Sequence, residues 1–447
     1  MAKDYSLKRE SGWKQYSHKQ VFTFCEDYKQ FIAASKTERL CVQQIIAHLT
    51  KAGFSESKGN KRYMVLHDKV VIAYIVGKDP TSLRLIGSHV DSPRLDLKPN
   101  PVYEDANVAL FKTHYYGGVK KYHWVNTPLS LHGVIFTQKG KAVPIALGDA
   151  PDDPRFIISD LLPHLARSQM ERKADKIIEG EELNILVGNI PVTDAKIKEQ
   201  FKCALLAHLY KTYGIIEEDF NCAELELVPA QNPMDIGFDR SLIAAYGQDD
   251  KVCVYTSLQA LLAISQPKHT AVALFVDKEE IGSMGNTGAA SFLLDQFARK
   301  YVEYHKLTVH PRALLEQSKS ISADVTAAQD PNFKDVHDAQ NVPYLGRGVA
   351  IEKYGGGGGK YSTNDAHAEY MAYLRGIMQK HKVAWQAGEL GKVDMGGGGT
   401  IAMFLSRYGM DCVDAGPAVL GMHSPCEVAS KVDIYAAYLL YKAFFMD

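Results

Sequence analysis

Five short motifs rich in histidine and carboxylate side chains each follow an apolar run of this chain. They are GSHVD at 87–91, QDD at 248–250, DKEE at 277–280, SAD at 322–324 and GMHS at 421–424. A site that hydrolyses a bond with two divalent metal ions takes such ligands from distant strand ends and keeps one carboxylate for proton transfer. The five motifs together therefore predict a two-metal hydrolase.

The first motif places a histidine two residues before an aspartate. Residues two apart on an extended segment share a face, so Asp91 can lie beside His89. A metal-binding histidine usually donates its second ring N–H to a carboxylate, which fixes the direction of the ring. The alternative is a histidine at a strand end with an unrelated surface aspartate.

The second motif, Asp249–Asp250, comes before a predicted helix over Val252–Ala263. Consecutive side chains diverge, so one carboxylate can bridge two metal ions while the other faces away. The alternative is an acidic helix N-terminus that the helix dipole favours.

The third motif follows Ala271–Val276, which we predict to be a buried strand. Three carboxylates at a buried strand end repel one another and are costly to desolvate unless cations balance them. A solvated charge cluster is the alternative, but the flanking residues are small and apolar. We therefore favour a functional site, in which one of Glu279 and Glu280 ligates metal and the other accepts a proton from bound water.

Asp324 and His423 also follow apolar runs. Each of them alone would more often be a satisfied core residue than a metal ligand. With the other three motifs they complete a mixture of histidine and carboxylate ligands that suits zinc, cobalt or manganese.

Two glycine runs need a separate interpretation. The segment YGGGGGKY at 354–361 lacks both the first glycine and the final Ser or Thr of a phosphate-binding loop, so we expect no nucleotide there. We interpret Gly396–Gly399 as a flexible lead-in to a helix. The chain has no Gly-x-Ser-x-Gly sequence, which argues against a serine hydrolase.

The composition excludes several classes of protein. The 447 residues carry a formal net charge of -1, which gives no reason to expect nucleic acid or an anionic membrane as partner. The longest apolar runs are too short to span a bilayer, and Met1–Glu10 contains no apolar segment of the kind found in secretory signals. The seven cysteines are scattered without a Cys-x-x-Cys pair. We expect a cytoplasmic protein with reduced thiols.

The element pattern predicts an α/β fold interrupted by a second domain. Helical spacing of apolar residues covers Val21–Ala33 and Glu38–Leu49, and strands follow. From about Lys98 alternating runs with Gly-Gly and Pro indicate a small antiparallel sheet, and from Asp239 strands, glycine turns and helices alternate. If His89 and Asp249 share one site, residues 1–97 and 234–447 form one catalytic domain, and 98–233 form an inserted β-rich domain. The further predicted strands are Tyr63–Leu66, Val70–Val76, Leu83–Ile86, Asn107–Val119, His132–Phe136, Ala142–Ile145 and Ala223–Val228, and the further predicted helices are Pro163–Gln169 and Ala195–Tyr213.

On these motifs the chain resembles the aspartyl aminopeptidase and aminopeptidase I family of two-metal zinc aminopeptidases. The resemblance is strongest at 87–99, 248–262, 277–291, 322–324 and 421–432. It implies an α/β catalytic domain of three layers with a central mixed sheet, and an inserted β-rich domain that mediates subunit contacts. It also implies metal ligands from all five motifs. They are His89, Asp249 and Asp324 around one ion and Asp249, Glu280 and His423 around the other.

The resemblance implies further roles in the same site. Asp249 would bridge the two ions, Asp91 would orient His89, and Glu279 would be the general base. The peptide bond between the two aspartates of the second motif is often cis in relatives.

Family members form tetrahedral dodecamers, in which a histidine of a Pro-His-Leu-Ala segment reaches a neighbour's active site. Residues 163–166 match that segment, so the resemblance implies that His164 binds substrate. Lys353 and Tyr361 fall where relatives place other substrate contacts. Relatives specific for N-terminal Asp or Glu have a histidine where this chain has Ala327, so the preference between acidic and neutral residues stays open.

The expected reaction is removal of single residues from peptide N-termini. A hydroxide bridging two divalent ions would attack the peptide carbonyl, and Glu279 would act as the general base. We expect zinc at both positions, with cobalt or manganese as alternatives. The alternative functions are a related two-metal deacylase or carboxypeptidase acting on N-acyl amino acids, and a catalytically silent assembly particle.

Overall fold

The structure is a computed structural model that describes residues 5–7 and 10–447. Its contacts divide the chain into two compact units. The larger unit comprises the chain up to Asp91, Pro233–Met422 and Cys426–Asp447, and the inserted unit comprises Ser92–Asn232 with His423–Pro425. The sequence-based boundaries lie at 97/98 and 233/234. The segment Met1–Glu10, for which we predicted no secretory signal, lies mostly outside the described residues.

The larger unit is built on an eight-stranded mixed sheet. Strand Asp79–His89 lies between His269–Val276 and Lys319–Ser322 and is parallel to both. Parallel neighbours have their carboxyl ends at the same edge of the sheet, so the segments that follow these three strands begin close together. The spatial order of the strands is Lys61–Leu66, Val70–Ile75, His269–Val276, Asp79–His89, Lys319–Ser322, Asp411–Gly416, Val349–Glu352 and Trp385–Gly388.

Helices cover both faces of this sheet, as a three-layer fold requires. Successive strand residues point to opposite faces, and Ala73 and Ile75 accordingly join one apolar cluster while Ile72 and Tyr74 join another. The prediction of a three-layer α/β unit with a central mixed sheet is confirmed. The helices of the larger unit are His18–Ala33, Glu38–Lys51, Gln248–Leu262, Leu293–His305, Pro311–Glu316, Ala368–Lys380, Ala402–Ser406 and Lys431–Met446.

The larger unit also contains a five-stranded sheet of very short strands. Its strands are Met234–Ile236, Leu242–Ala245, Glu427–Ser430, Ala418–Leu420 and Thr326–Ala327. Segments of two to four residues show too little alternation for a sequence pattern to identify them. We did not predict this sheet from the sequence.

The inserted unit contains a six-stranded sheet. Each recorded strand pair in it is antiparallel, as the alternating runs predicted. Gly133 has a φ of 137°, and a Cβ there would lie 1.9 Å from the Glu224 carbonyl oxygen, so only glycine allows this close pairing. The spatial order is Ala142–Leu147, Leu129–Phe136, Ala223–Pro229, Arg94–Asp105, Val108–Tyr116 and Ile185–Gly188.

Two predicted helices of the inserted unit differ in the structure. The prediction of a helix over 163–169 is wrong, because residues 163–165 form a turn and the helix is only Arg167–Met170. The predicted helix over 195–213 begins later, at Gln200. The Glu104 carboxylate accepts hydrogen bonds from the N–H groups of Phe201 and Lys202, at 2.7 and 2.8 Å, and this long-range cap fixes the start.

Among residues 5–7 and 10–447, no helix combines the length and the apolarity that crossing a membrane requires.

Candidate metal centre

Four of the five motifs converge at the carboxyl edge of the central sheet. In the strand register, His89 lies opposite Val276 and Gly87 opposite Ser322, so the residues that follow these strands share one edge. Within the described part of the chain, three overlapping groups have ligand atoms within 4.8 Å of one another. The groups are His89, Asp249 and Glu280; His89, Glu279 and Asp324; and Asp249, Asp250 and Asp324.

His89 lies at the centre of the cluster and is buried. Its Nε2 atom is 3.2 Å from Asp249 Oδ1, 3.8 Å from Asp324 Oδ1 and 4.0 Å from Glu279 Oε2. Its Nδ1 atom lies 3.1 Å from the Asp91 carbonyl oxygen and 3.3 Å from Asp91 Oδ1. One ring nitrogen therefore faces the cluster, and the other faces Asp91.

Asp91 also holds the turn that carries the two glutamates. Its carboxylate accepts hydrogen bonds from the backbone N–H groups of Glu279 and Glu280, both at 3.2 Å. These residues begin a 3-10 turn directly after the strand His269–Val276 and the residues Asp277 and Lys278. Asp91 thus fixes His89 and the glutamate turn with one buried carboxylate, whereas we predicted only the contact to His89 from the sequence.

The Asp249–Asp250 peptide bond is cis, as the family resemblance implied. Both residues have non-helical dihedral angles at the start of the helix Gln248–Leu262. The Asp250 carboxylate accepts a hydrogen bond from the His89 backbone N–H at 3.2 Å, and the Glu427 carboxylate accepts one from the Asp249 N–H at 3.0 Å. These two carboxylates therefore anchor the backbone of two proposed ligands.

Sequence reasoning did not give Asp250 or Glu427 these roles. Glu427 is buried on a short strand of otherwise apolar and small residues, Glu427–Ser430. A charged side chain in such a strand indicates that a polar or charged group pairs with it in the folded protein. The sequence does not indicate which group that is.

Burial and close spacing shift the pKa values of the titratable groups in the cluster. Burial, and then the charge of Asp324, raise the pKa of Asp250 well above its ordinary value. Burial likewise raises the pKa of Asp324 and raises the pKa of Glu279 to about 8. Burial by itself would lower the pKa of His89, but hydrogen bonds that its ring donates to the carboxylates of Asp249, Asp324 and Asp91 raise this pKa well above its ordinary value.

These observations fit a site for divalent metal ions. The three groups contain five carboxylates and one imidazole, a donor set of oxygen and nitrogen that suits zinc, cobalt or manganese. So many carboxylates at short range are stable as anions only when cations balance them. Divalent metal ions held by His89 and these carboxylates would supply that positive charge.

The other predicted site residues lie outside these groups. His423 belongs to the inserted unit, where its Nδ1 is 2.9 Å from the Gly118 carbonyl oxygen. His164 is an exposed turn residue of the same unit. In the larger unit, the Lys353 ammonium pairs with Asp365, and 76% of Tyr361 is exposed.

The two glycine runs pack against each other. The Gly356 N–H donates to the Gly398 carbonyl oxygen at 2.7 Å, and a Cβ on Gly397 would lie 1.7 Å from the Gly356 oxygen. Gly355 and Gly397 are the positions at which the backbone of the other run leaves no room for a side chain. The helix that follows the second run begins only at Ala402, whose N–H donates to the Thr400 hydroxyl.

Comparison with known proteins decides the family. The profile of a family described as aminopeptidase I zinc metalloprotease (M18) matches residues 31–445. A curated relative from Borreliella afzelii, called a probable M18 family aminopeptidase 1, is 48% identical over 99% of this chain and 100% of its own length. This chain belongs to the M18 family. It is therefore a zinc-type metalloaminopeptidase, a hydrolase of the exopeptidase class.

Solved structures of M18 enzymes share the fold. An M18 aminopeptidase from Thermotoga maritima is similar with a TM-score of 0.96 and 45% identity, covering 98% of this chain and 99% of that one. Aminopeptidase I from Clostridium acetobutylicum has a TM-score of 0.93 and 42% identity, with 99% and 100% covered. A dodecamer of mApe1 from S. cerevisiae has a TM-score of 0.76 and 21% identity, with 96% and 97% covered, which shows the fold alone.

Proposed function

We propose that the cluster holds two divalent metal ions, with zinc as the first candidate, and that it removes the N-terminal residue of peptides. The observation that supports two ions is the overlap of the three ligand groups, each pair of which shares one residue. His89, Asp249 and Asp324 each belong to two groups, and Asp249 is the proposed bridge because its carboxylate is grouped with both Glu280 and Asp324. When bound, the ions would supply the Lewis acidity that activates water and polarises the scissile carbonyl. The proposed ligands are His89, Asp249, Glu280, Asp324 and, from its motif alone, His423.

Glu279 is the proposed general base. Its side chain is mostly buried but retains 14% exposure, and its Oε2 atom lies 4.0 Å from His89 Nε2. A carboxylate at the edge of the cluster can accept the proton of the attacking water and pass it to the leaving nitrogen. Asp91 positions this residue because it accepts a hydrogen bond from the Glu279 backbone N–H.

Replacement of Glu279 tests this role. Glu279→Gln keeps the size of the side chain but cannot accept the proton, so we expect kcat on a peptide anilide to fall about 10²–10⁴-fold. Zinc content and the circular dichroism spectrum should stay unchanged. Glu303→Gln, at an exposed site on the helix Leu293–His305, is the matched control. A Glu279→Gln enzyme that keeps a tenth of the wild-type rate would rule out the proposed base.

We infer that the preference for acidic N-terminal residues is not strict. The Lys353 ammonium, a proposed substrate contact, already pairs with Asp365, which also holds Lys360 at 2.9 Å. Position 327 holds alanine in place of the histidine of acid-specific relatives. Rates on Asp-, Glu-, Leu- and Lys-anilides, each with zinc, cobalt and manganese, test this inference. Turnover of N-acyl amino acids instead of anilides would favour the deacylase alternative.

We also propose that the inserted unit mediates assembly into a homo-oligomer, with a dodecamer as the first candidate. Several large apolar residues of this unit are strongly exposed, which is common where subunits meet. They are Leu161, Leu162, Leu165, Met170, Ile190 and Tyr210. His164 lies between Leu162 and Leu165 in the sequence and is the proposed contact to substrate in a neighbouring subunit.

A further inference from the structure

The loop between Asp277 and Gly288 carries both proposed functional glutamates. It is closed at its base by a backbone hydrogen bond from the Asp277 N–H to the Thr287 carbonyl oxygen, at 3.2 Å. Inside the loop, the Ser283 N–H donates to the Lys278 carbonyl oxygen at 2.7 Å. A Cβ on Gly288 would lie 2.0 Å from the Ser283 oxygen, so the two arms of the loop cross in direct backbone contact.

Three side chains form a closed ring at the same base. The Lys278 ammonium donates to Asp277 Oδ2 at 2.8 Å and lies 2.7 Å from Thr287 Oγ1. The Thr287 hydroxyl donates to the same Asp277 oxygen at 2.8 Å. Asp277 and Thr287 are 1% and 2% exposed, whereas the Lys278 side chain is 27% exposed, so two of the three members of the ring are buried. Hydrogen bonds of a charged group are stronger in such partly buried surroundings than in water.

The stem of Lys278 lies beside Gly285 of the same loop. A Cβ on Gly285 would lie 3.4 Å from its Cδ and 3.5 Å from its Cε, which are ordinary packing distances. Lys278 itself adopts a left-handed conformation, with a φ of 66°, immediately before the turn Glu279–Ile281. The ammonium therefore joins one arm of the loop to the other, and the residue that carries it immediately precedes the turn of the two glutamates.

We propose that Lys278 is a positioning residue, whose ammonium joins Asp277 to Thr287 and thereby fixes the turn that presents Glu279 and Glu280. Asp91 holds this turn through the backbone N–H groups of Glu279 and Glu280. The hydrogen-bonded ring of Asp277, Lys278 and Thr287 holds the base of the loop. When a general base or a metal ligand is displaced by a fraction of an ångström, kcat falls more than the affinity for substrate does. The proposal rests on the function proposed above for these two glutamates.

Lys278→Met tests the proposal because methionine keeps the stem and loses the ammonium. We expect kcat to fall about tenfold or more with KM within about twofold, and zinc to dissociate about tenfold more readily in competition with a chelator. Amide hydrogen exchange should become faster within 277–288 and stay unchanged elsewhere. Thr287→Val, which opens the same ring, should move these measurements in the same direction, and Thr287→Ser should restore them.

Lys300→Met, at an exposed lysine of the neighbouring helix, is the matched control. Unchanged kcat, zinc retention and amide exchange in Lys278→Met and Thr287→Val would overturn the proposal. Faster exchange throughout the protein would also overturn it, because the ring would then be a general stability element. A fully active Glu279→Gln enzyme would instead refute the proposed base. Zinc retention and amide hydrogen exchange within 277–288 would still test the role of Lys278.

Discussion

Replacement of Asp91 by asparagine should weaken the metal centre without removing any proposed ligand. The Asp91 carboxylate is fully buried and accepts hydrogen bonds from the Glu279 and Glu280 N–H groups, both at 3.2 Å. Its Oδ1 is also 3.3 Å from His89 Nδ1. Asparagine has nearly the same shape but one acceptor oxygen. At the position of the second carboxylate oxygen, the asparagine NH₂ group would face a backbone N–H, and two donors cannot form a hydrogen bond with each other.

The size of the effect follows from the bond that is lost. A hydrogen bond to a charged group contributes about 1.5–3 kcal/mol, and one of the two backbone bonds to Asp91 cannot be made by the amide. A loss of about 2 kcal/mol corresponds to a factor of about 30 in an equilibrium constant. We therefore expect the zinc dissociation constant of Asp91→Asn to rise about 30-fold, within the range typical of residues that support metal ligands.

The assay is competition for zinc between the metal-free protein and a chelator of known affinity, with kcat measured at saturating zinc. Asp335→Asn, at an exposed aspartate of the larger unit, controls for the loss of one negative charge. If Asp91→Asn binds zinc as tightly as the wild type, the carboxylate does not position the site, and the reasoning from its contacts is refuted.

Two further predictions concern pH and assembly. The buried Asp433 carboxyl accepts hydrogen bonds from the Gly346 and Gly348 N–H groups, and burial raises its pKa to about 7. Because this pKa lies above that of the unfolded chain, about 3.9, the stability that Asp433 contributes is present at low pH and is lost as pH rises through 7. The advantage of wild type over Asp433→Asn in urea unfolding should therefore shrink by up to about 2.6 kcal/mol between pH 5 and pH 8; a constant difference would contradict this. Leu165 is 68% exposed in the inserted unit, so Leu165→Asp should give smaller particles by light scattering with an unchanged circular dichroism spectrum. Asn221→Asp, at an exposed residue of the same unit outside the segment 161–170, should leave the particle mass unchanged. Equal masses for Leu165→Asp and wild type would count against this surface as an interface.

The residues that carry the chemistry were visible in the sequence because each follows a buried strand or turn. His89, Asp249, Glu279, Glu280 and Asp324 were all named from their motifs, and the structure brings their ligand atoms into overlapping groups. A carboxylate or imidazole at the end of an apolar run is unusual enough to be noticed without coordinates. His423 was named by the same reasoning but does not join these groups.

The residues that hold this chemistry in place were not visible. Asp250 and Glu427 act on backbone N–H groups that are 161 and 178 residues away in the chain. The helix predicted over 163–169 is wrong for a related reason, since local spacing of apolar residues does not record which of them stay exposed in the folded unit.

The sequence by itself determined the donor types, the family and the alternation of elements, because these depend on residue identity and short-range spacing. Only the tertiary structure decided that one Asp91 carboxylate serves His89 and the glutamate turn together, and that Lys278 closes a ring with Asp277 and Thr287. Such contacts depend on strand register and on the directions of side chains after folding. Many partners would satisfy the same donor, and packing selects one of them.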